Sequence, residues 1–214
     1  MTDFVLQISD WYRLNKRDLP WRRSKNPYFI WLSEVILQQT RVDQGLPYYL
    51  RFIENFETVS DLALASEEEI LKLWQGLGYY SRARNLHSTA KLIHEKHNGV
   101  FPDTYLELIQ LKGIGPYTAA AISSIAFNEP RAVVDGNVYR VLSRYFGIST
   151  PIDSTTGKKE FQALADELVP KNDAGTFNQA LMEFGAIHCT PKLSACETCV
   201  LQNKCVAFQT RTVD

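Results

Sequence analysis

Apolar residues recur at intervals of three and four along nearly the whole chain: Phe4, Ile8, Trp11 and Tyr12, then Val42, Leu46, Tyr49, Leu50 and Ile53, then Val138, Val141, Leu142 and Tyr145. A period near 3.6 residues predicts helices. Helix starts are marked by Ser66 with Glu69 as a capping box, by Asp103 or Thr104 after Pro102, and by Asp173 before a stretch ending near His188. Strand alternation is nearly absent, and neither an internal repeat nor a low-complexity segment interrupts the pattern. The pattern therefore predicts an all-α fold of about ten helices of roughly 8 to 16 residues, joined by short turns. Helices up to about residue 24 and after about residue 130 are expected to pack as one lobe, and those in the middle as another. A cleft between lobes would be the natural place for a site.

The chain has 214 residues, of which 45% are hydrophobic, enough for a sizeable core and too many for a disordered chain. Lys and Arg number 23 against 24 Asp and Glu, a net charge of −1, so a nucleic-acid partner would have to be met by a local basic patch. The longest apolar stretch, residues 119–127, holds two serines and falls far short of the roughly 18 to 20 residues that span a bilayer. The chain is expected not to be a membrane protein. Asp3 and Asp10 stand where a secretory signal would need a basic start and an apolar run, which predicts an intracellular protein of the cytoplasm or nucleoid.

Four segments carry candidate chemistry. The first is LKGIGPYT at 111–118, where a helix is expected to end at Gly113 and the next to begin with Pro116. Gly113 and Gly115 allow a tight turn that leaves amide N–H groups at a helix N-terminus, a ready site for a DNA phosphate, although an ordinary turn between helices uses the same glycines. The second, VVDGNV at 133–138, puts Asp135 at a helix N-cap, where a carboxylate serves either as a cap alone or as a charge aimed at a substrate. The third, WLSEVILQQT at 31–40, sets Glu34 among apolar neighbours on a helix. Burial there would raise its pKa toward that of a general acid, and two carboxylates held in opposite protonation states are the equipment of glycosidic bond cleavage. The fourth, GLGYYSRAR at 76–84, combines glycines, Tyr79, Tyr80, Arg82 and Arg84, a mixture that suits bases and phosphates but also describes a basic helix after a turn.

All four cysteines, Cys189, Cys196, Cys199 and Cys205, lie close together near the C-terminus in a C-x6-C-x2-C-x5-C array. A disulfide framework would be spread through the chain. Four thiolates suit an iron–sulfur cluster, with zinc as the alternative, because structural zinc sites usually offer two C-x2-C knuckles or added histidines.

Together these motifs resemble the helix-hairpin-helix superfamily of DNA glycosylases, the cysteine spacing matching its [4Fe-4S] loop. Residues 33–40, 76–85 and 135–138 are most similar to the MutY-type adenine DNA glycosylases within it, and the resemblance runs from about Trp11 to Cys205. It implies a two-lobed helical catalytic region over residues 1–214, with lobes at about 25–130 and at about 1–24 plus 131–214. The implied activity is removal of adenine mispaired with 8-oxoguanine or guanine, by a monomeric enzyme on double-stranded DNA. Glu34 would protonate the adenine ring and Asp135 stabilise the oxocarbenium-like sugar, assisted by Tyr117 and Asn137. Trp21, Arg22 and Glu183 would line the adenine pocket. Gln39 and Tyr79 would enter the base stack, and Arg82, Arg84, Gly113 and Gly115 would contact DNA.

Lys112 departs from the family, where proline is common before the first hairpin glycine. The sequence ends at Asp214, where the family normally continues into a C-terminal domain that reads 8-oxoguanine, as expected either of a catalytic domain cut from a longer protein or of a naturally short member. The related endonuclease III class places a lysine nucleophile at the position of Tyr117, which is absent here. A thymine glycosylase acting on T:G mismatches shares the glutamate, tyrosine and aspartate and is the nearest alternative. A non-enzymatic DNA-binding cluster protein would have no use for both Glu34 and Asp135.

Overall fold

The computed structural model describes residues 3–213. Among them run twelve α-helices and no strand: α1 Asp3–Asn15, α2 Pro27–Leu37, α3 Val42–Asn55, α4 Val59–Leu64, α5 Glu67–Trp74, α6 Ser81–His97, α7 Tyr105–Leu108, α8 Pro116–Phe127, α9 Gly136–Phe146, α10 Thr155–Leu168, α11 Ala174–Ile187 and α12 Val206–Thr210. No helix among the described residues is long and apolar enough to cross a membrane.

The all-α expectation holds, but the helices are more numerous and more varied in length, from the four residues of α7 to the 17 of α6. Local capping is the reason. The region between Phe56 and Trp74 carries two successive capping boxes, Thr58 with Asp61 and Ser66 with Glu69, and each starts its own short helix. Thr104, rather than Asp103, caps α7 by accepting a hydrogen bond from the Glu107 amide. The first helix of the hairpin ends at Leu108, five residues before the expected stop at Gly113, and residues 109–115 turn into α8.

The described chain divides into two compact units, residues 19–127 and residues 1–18 with 128–214. In the first, α2 packs against α3, α6 and α8. Apolar side chains surround α2 on nearly every side, burying Tyr28, Ile30, Trp31, Leu32, Val35 and Ile36, which makes it a central helix rather than a surface one. Helix α8 is buried through seven consecutive residues from Thr118 to Ser124, three of them alanines, so it lies close against its neighbours. Ser123 and Ser124 bond back to carbonyls one turn earlier and so enter the interior without an unmatched hydroxyl. In the second unit α11 packs on α1 and α9, around Ile8, Val138, Leu142, Phe161, Phe177 and Phe184.

His87 on α6 is 3% exposed, and its Nε2 is buried with no hydrogen-bond partner. Burial, then the neighbouring Lys91, pushes its pKa below the usual 6.5, against hydrogen bonds to the backbone of Ala65 and Ala63. The unfolded chain therefore binds this proton more readily, and the stability tied to neutral His87 is complete above about pH 6.5 and lost as the pH falls from there through the folded value. In thermal melts at pH 7.5 and 5.5, His87→Leu should show a smaller drop in Tm between the two than the wild-type protein. An equal drop would remove His87 as the source.

Candidate active site

Asp135 reaches its position on irregular backbone. Ala132 and Val133 are 3% and 1% exposed yet belong to no helix, so their polar groups must be matched by side chains. Asp166 on α10 accepts from the Ala132 amide at 3.1 Å, and Gln162 donates to the Ala132 carbonyl at 3.3 Å. Asn178 on α11, itself buried, accepts from the Val133 amide at 3.1 Å and donates to the Arg131 carbonyl at 2.8 Å. Beyond this braced segment Asp135 caps α9. One carboxylate oxygen accepts from the Val138 amide and the other from the Asn137 side chain, both at 2.8 Å. The half-buried carboxylate thus has both oxygens oriented at the positive end of a helix.

Asn137, Arg140 and Arg144 follow at helical spacing on one face of α9. Arg140 donates to the Asn137 side-chain oxygen at 2.9 Å, to the Gly185 carbonyl at 2.6 Å and to the Cys189 carbonyl at 2.8 Å. Gly185 has no room for a side chain, since a Cβ there would lie 2.6 Å from the Cβ of Asn137. One turn on, Arg144 donates to the Thr190 carbonyl at 2.7 Å, Ser194 Oγ at 2.8 Å and the Cys189 sulfur at 3.4 Å. The same α9 face therefore holds Asp135 at its start and the cysteine loop further along.

All four thiols line one cavity, together with Arg144, Tyr145, His188 and Phe208. They are free cysteines, and no group of three or more His, Cys, Asp or Glu side chains among the described residues is placed in ligating geometry. Burial pushes the Cys199 thiol up to about 11, with further upward contributions from Cys189, Cys205 and Cys196. Cys196 is raised for the same reasons, burial first. Four crowded thiols can all ionise only if a positive centre takes up their charge. The donor set thus suits a thiolate-held metal group, and Cys189, Cys196, Cys199 and Cys205 would be its ligands.

Glu183 on α11 is 1% exposed and takes a bidentate contact from Arg17, whose Nε donates to Oε1 at 2.8 Å and Nη2 to Oε2 at 2.6 Å. The Arg17 amide adds a third donor at 3.0 Å. This fork-to-carboxylate geometry fixes both side chains.

In the other unit Glu34 is half-buried on α2, between the buried Ser33 and Val35, and is the one acidic residue of that helix. Tyr117 sits half-buried in the first turn of α8, which packs on α2. The hairpin before it exposes Gly113 and Gly115. Gly113 has a φ of +79° and would crowd Asn85 if it carried a Cβ, so the fold requires it; a Cβ on Gly115 would meet nothing within 4 Å. Gln39 is exposed just beyond α2, and Tyr79 is 64% exposed just before α6. Arg84 is exposed and pairs with Glu67 at 3.1 Å. Arg82 is 9% exposed, and its guanidinium donates to backbone carbonyls of this unit. Trp21 is a core residue, set edge-on to Tyr49, and Arg22 is half-buried in the short 3-10 turn Pro20–Arg22.

The structure joins Asp135 to Asn137 and gathers the four cysteines. It takes Arg82 inside and sets Glu183 against Arg17. Sequence reasoning passed over Arg140, Arg144, Asn178 and Arg17. The first two were legible in the i, i+3, i+7 spacing from Asn137 along an otherwise amphipathic helix. Asn178 and Arg17 left no local signal.

Residues 32–171 match the family described as HhH-GPD superfamily base excision DNA repair protein. The chain belongs to that superfamily. It is 39% identical, over 97% of its length and 60% of the relative's, to an adenine DNA glycosylase of Buchnera aphidicola subsp. Acyrthosiphon pisum. It is 44% identical to the adenine DNA glycosylase of Homo sapiens, over 98% of this chain and 40% of that one. The chain spans about 60% or less of the length of these curated relatives. Among solved structures, a thermostable thymine-DNA glycosylase superimposes with a TM-score of 0.88 at 32% identity, covering 97% of this chain and 95% of that one. A non-covalent endonuclease III–DNA complex shares the fold, with a TM-score of 0.81 at 24% identity over 99% and 96% of the two chains.

The bracing of Asp135 can be measured. Asn178→Ala leaves the buried Val133 amide unmatched and frees the part-buried Arg131 carbonyl, and should lower stability by about 1–3 kcal/mol in urea denaturation. A loss below about 0.5 kcal/mol, the size of a neutral surface change, would show that the segment holds itself.

Proposed function

We propose that the chain is a monofunctional DNA glycosylase that hydrolyses the N-glycosidic bond of adenine mispaired with 8-oxoguanine or guanine. The observation that carries this reading is Asp135, a carboxylate fixed by two hydrogen bonds at a helix N-terminus, in a chain 39–44% identical to adenine DNA glycosylases along with a glutamate on the central helix. Adenine is a poor leaving group until its ring is protonated, and the sugar left behind carries positive charge. Glu34 supplies the proton. The Asp135 carboxylate stabilises the developing charge, with its rotamer held by the Val138 amide and Asn137. Tyr117, which has no amine to form a Schiff base, assists near the sugar and leaves the abasic strand uncut.

Exposed Gly113 and Gly115 let the hairpin backbone approach a phosphate at the start of α8. The open space at Gly115 supports this, since the fold itself gives no steric reason for a glycine there. Gln39 and Tyr79 enter the stack of double-stranded DNA, where an extruded base costs a few kcal/mol and least at a mismatch. Trp21, Arg22 and Glu183 belong to adenine binding, Arg84 to the backbone contact, and the enzyme acts as a monomer in the cytoplasm or nucleoid. Cys189, Cys196, Cys199 and Cys205 would hold a [4Fe-4S] cluster, whose part would be structural. Arg140 and Arg144 join the cysteine loop to α9 through the carbonyls of Cys189 and Thr190.

A second reading, thymine release from T:G mismatches, is favoured by the 32% identity to a thymine-DNA glycosylase of nearly the same length. Single-turnover base release on A:8-oxoG, A:G and T:G duplexes separates the two. Adenine release with an intact abasic product before alkali is expected, and preferred thymine release would overturn the adenine assignment. Glu34→Gln should bind mismatched DNA and lose roughly 10²- to 10⁴-fold in rate, the usual worth of a general acid; a rate within about threefold of wild type would reject Glu34 in that role.

Protein purified without oxygen should contain about four iron and four sulfide per chain. Stoichiometric zinc instead would replace the cluster assignment.

A further inference from the structure

The guanidinium of Arg82, on the first turn of α6, is inside the protein and nearly all its hydrogen bonds go to main chain. Nη1 donates to the carbonyls of Val35 at 3.1 Å, Ile36 at 2.9 Å and Gln38 at 2.6 Å, which are C-terminal carbonyls of α2 and its cap without a helical partner. Nη2 points to the carbonyls of Leu77 at 3.5 Å and Gly78 at 3.3 Å. The planar group also stands 5.1 Å from the ring of Trp74 and 5.6 Å from that of Tyr79, and Trp74 Nε1 donates to the same Gly78 carbonyl at 2.9 Å. One side chain therefore joins two backbone segments that are about forty residues apart in sequence.

Each segment ends in an exposed residue with left-handed backbone. Gln39 has φ +55° and Tyr79 φ +47°, a region that costs a non-glycine residue roughly 1–3 kcal/mol. Such strain persists only where the surroundings hold it. Both residues follow directly on a carbonyl in the Arg82 set, Gln38 before Gln39 and Gly78 before Tyr79.

We propose that Arg82 is a positioning residue, a clamp that sets Gln39 and Tyr79 at one fixed spacing so that both enter the base stack together when the target nucleotide is extruded. The proposal rests on the wedge assignment made above for those two side chains. Arg82 itself does not touch DNA. A planar fork with five donors is required, because a lysine ammonium can satisfy the α2 carbonyls or the glycine turn, but not both, and cannot stack on Trp74 and Tyr79 in the same way. Displacement of a wedge by about 1 Å can cost on the order of 10²-fold in rate.

The experiment compares wild type with Arg82→Lys, Tyr79→Ala, Gln39→Ala and the Arg82→Lys/Tyr79→Ala double variant, after Tm and circular dichroism confirm folding. Extrusion is read from the fluorescence rise of 2-aminopurine placed at the target position opposite guanine. Base release is read in single turnover from stacked A:G and from adenine opposite an abasic-site analogue, where stacking is already weakened. Arg82→Lys should bind DNA, lose the fluorescence rise, and slow release from A:G by about 10- to 100-fold while slowing the weakly stacked substrate by no more than about threefold. The double variant should be no worse than the poorer single one, because both changes disable one device.

Equal losses on both substrates would mean that Arg82 only supports the fold, and would overturn the clamp. So would a loss of extrusion in Tyr79→Ala with none in Arg82→Lys. If Tyr79→Ala and Gln39→Ala both extrude normally, the wedge assignment fails, and the clamp with it. A further measurement needs neither variant nor substrate. In the wild-type protein the Thr40 and Leu77 amides, bonded to the carbonyls of Leu37 and Trp74, should show hydrogen-exchange protection within about threefold of each other, since the clamp opens both segments at once. A difference of about a hundredfold would show the segments opening separately and overturn the proposal.

Discussion

Backbone that is buried outside regular structure has to find its hydrogen bonds among side chains, and the path to Asp135 depends on that constraint. Ala132 and Val133 enter the core of their unit as irregular chain, so Asp166, Gln162 and Asn178 supply the hydrogen bonds that a helix or sheet would otherwise give. Three polar side chains from two helices fix the segment, and the segment fixes the N-cap. Gly185 then allows α11 to come so close that Asn137 packs onto its backbone. The placement of one carboxylate is thus set by α9, α10 and α11 together, and a change in any of them is felt at Asp135.

Arginine ties elements together in both units. Arg17 locks Glu183, Arg140 and Arg144 bind α9 to the cysteine loop, and Arg82 ties α2 to the glycine turn. Each uses the guanidinium fork to satisfy several oxygens at once, which a point charge on lysine cannot do. Of these four only Arg82 is buried, whereas Arg17, Arg140 and Arg144 are half-exposed. The chain's net charge is −1, so a nucleic-acid contact of the proposed kind draws on local features, the exposed amides at Gly113 and Gly115 and exposed cations such as Lys112.

The cysteine array shows how charge and structure are linked. Without a positive centre, burial and mutual repulsion hold Cys196 and Cys199 in their neutral form. A positive centre would take up the charge of the thiolates, and the four cysteines that line the one cavity would be its ligands. Arg144 already meets the Cys189 sulfur and the loop backbone, so the frame that would receive a cluster is built from α9 outward.

The sequence by itself determined the helical class, the cap at Ser66, the N-cap at Asp135 and the cysteine array, because these depend on residue type at short spacing; it left Asp103 and Thr104 both open as the cap of α7. The 3.6-residue period could not separate α4 from α5 or end the hairpin helix at Leu108, since single turns are decided by local hydrogen bonds weaker than the periodic signal. Only the tertiary structure decided which charged residues face inward. Arg82 and Arg84 are two residues apart in the same basic run, yet one is buried against carbonyls of α2 and the other lies on the surface against Glu67. Asn178 had no distinguishing neighbours at all. Its role exists only because folding brings α11 beside buried backbone more than forty residues earlier, and the need for a hydrogen bond there cannot be read from either segment alone.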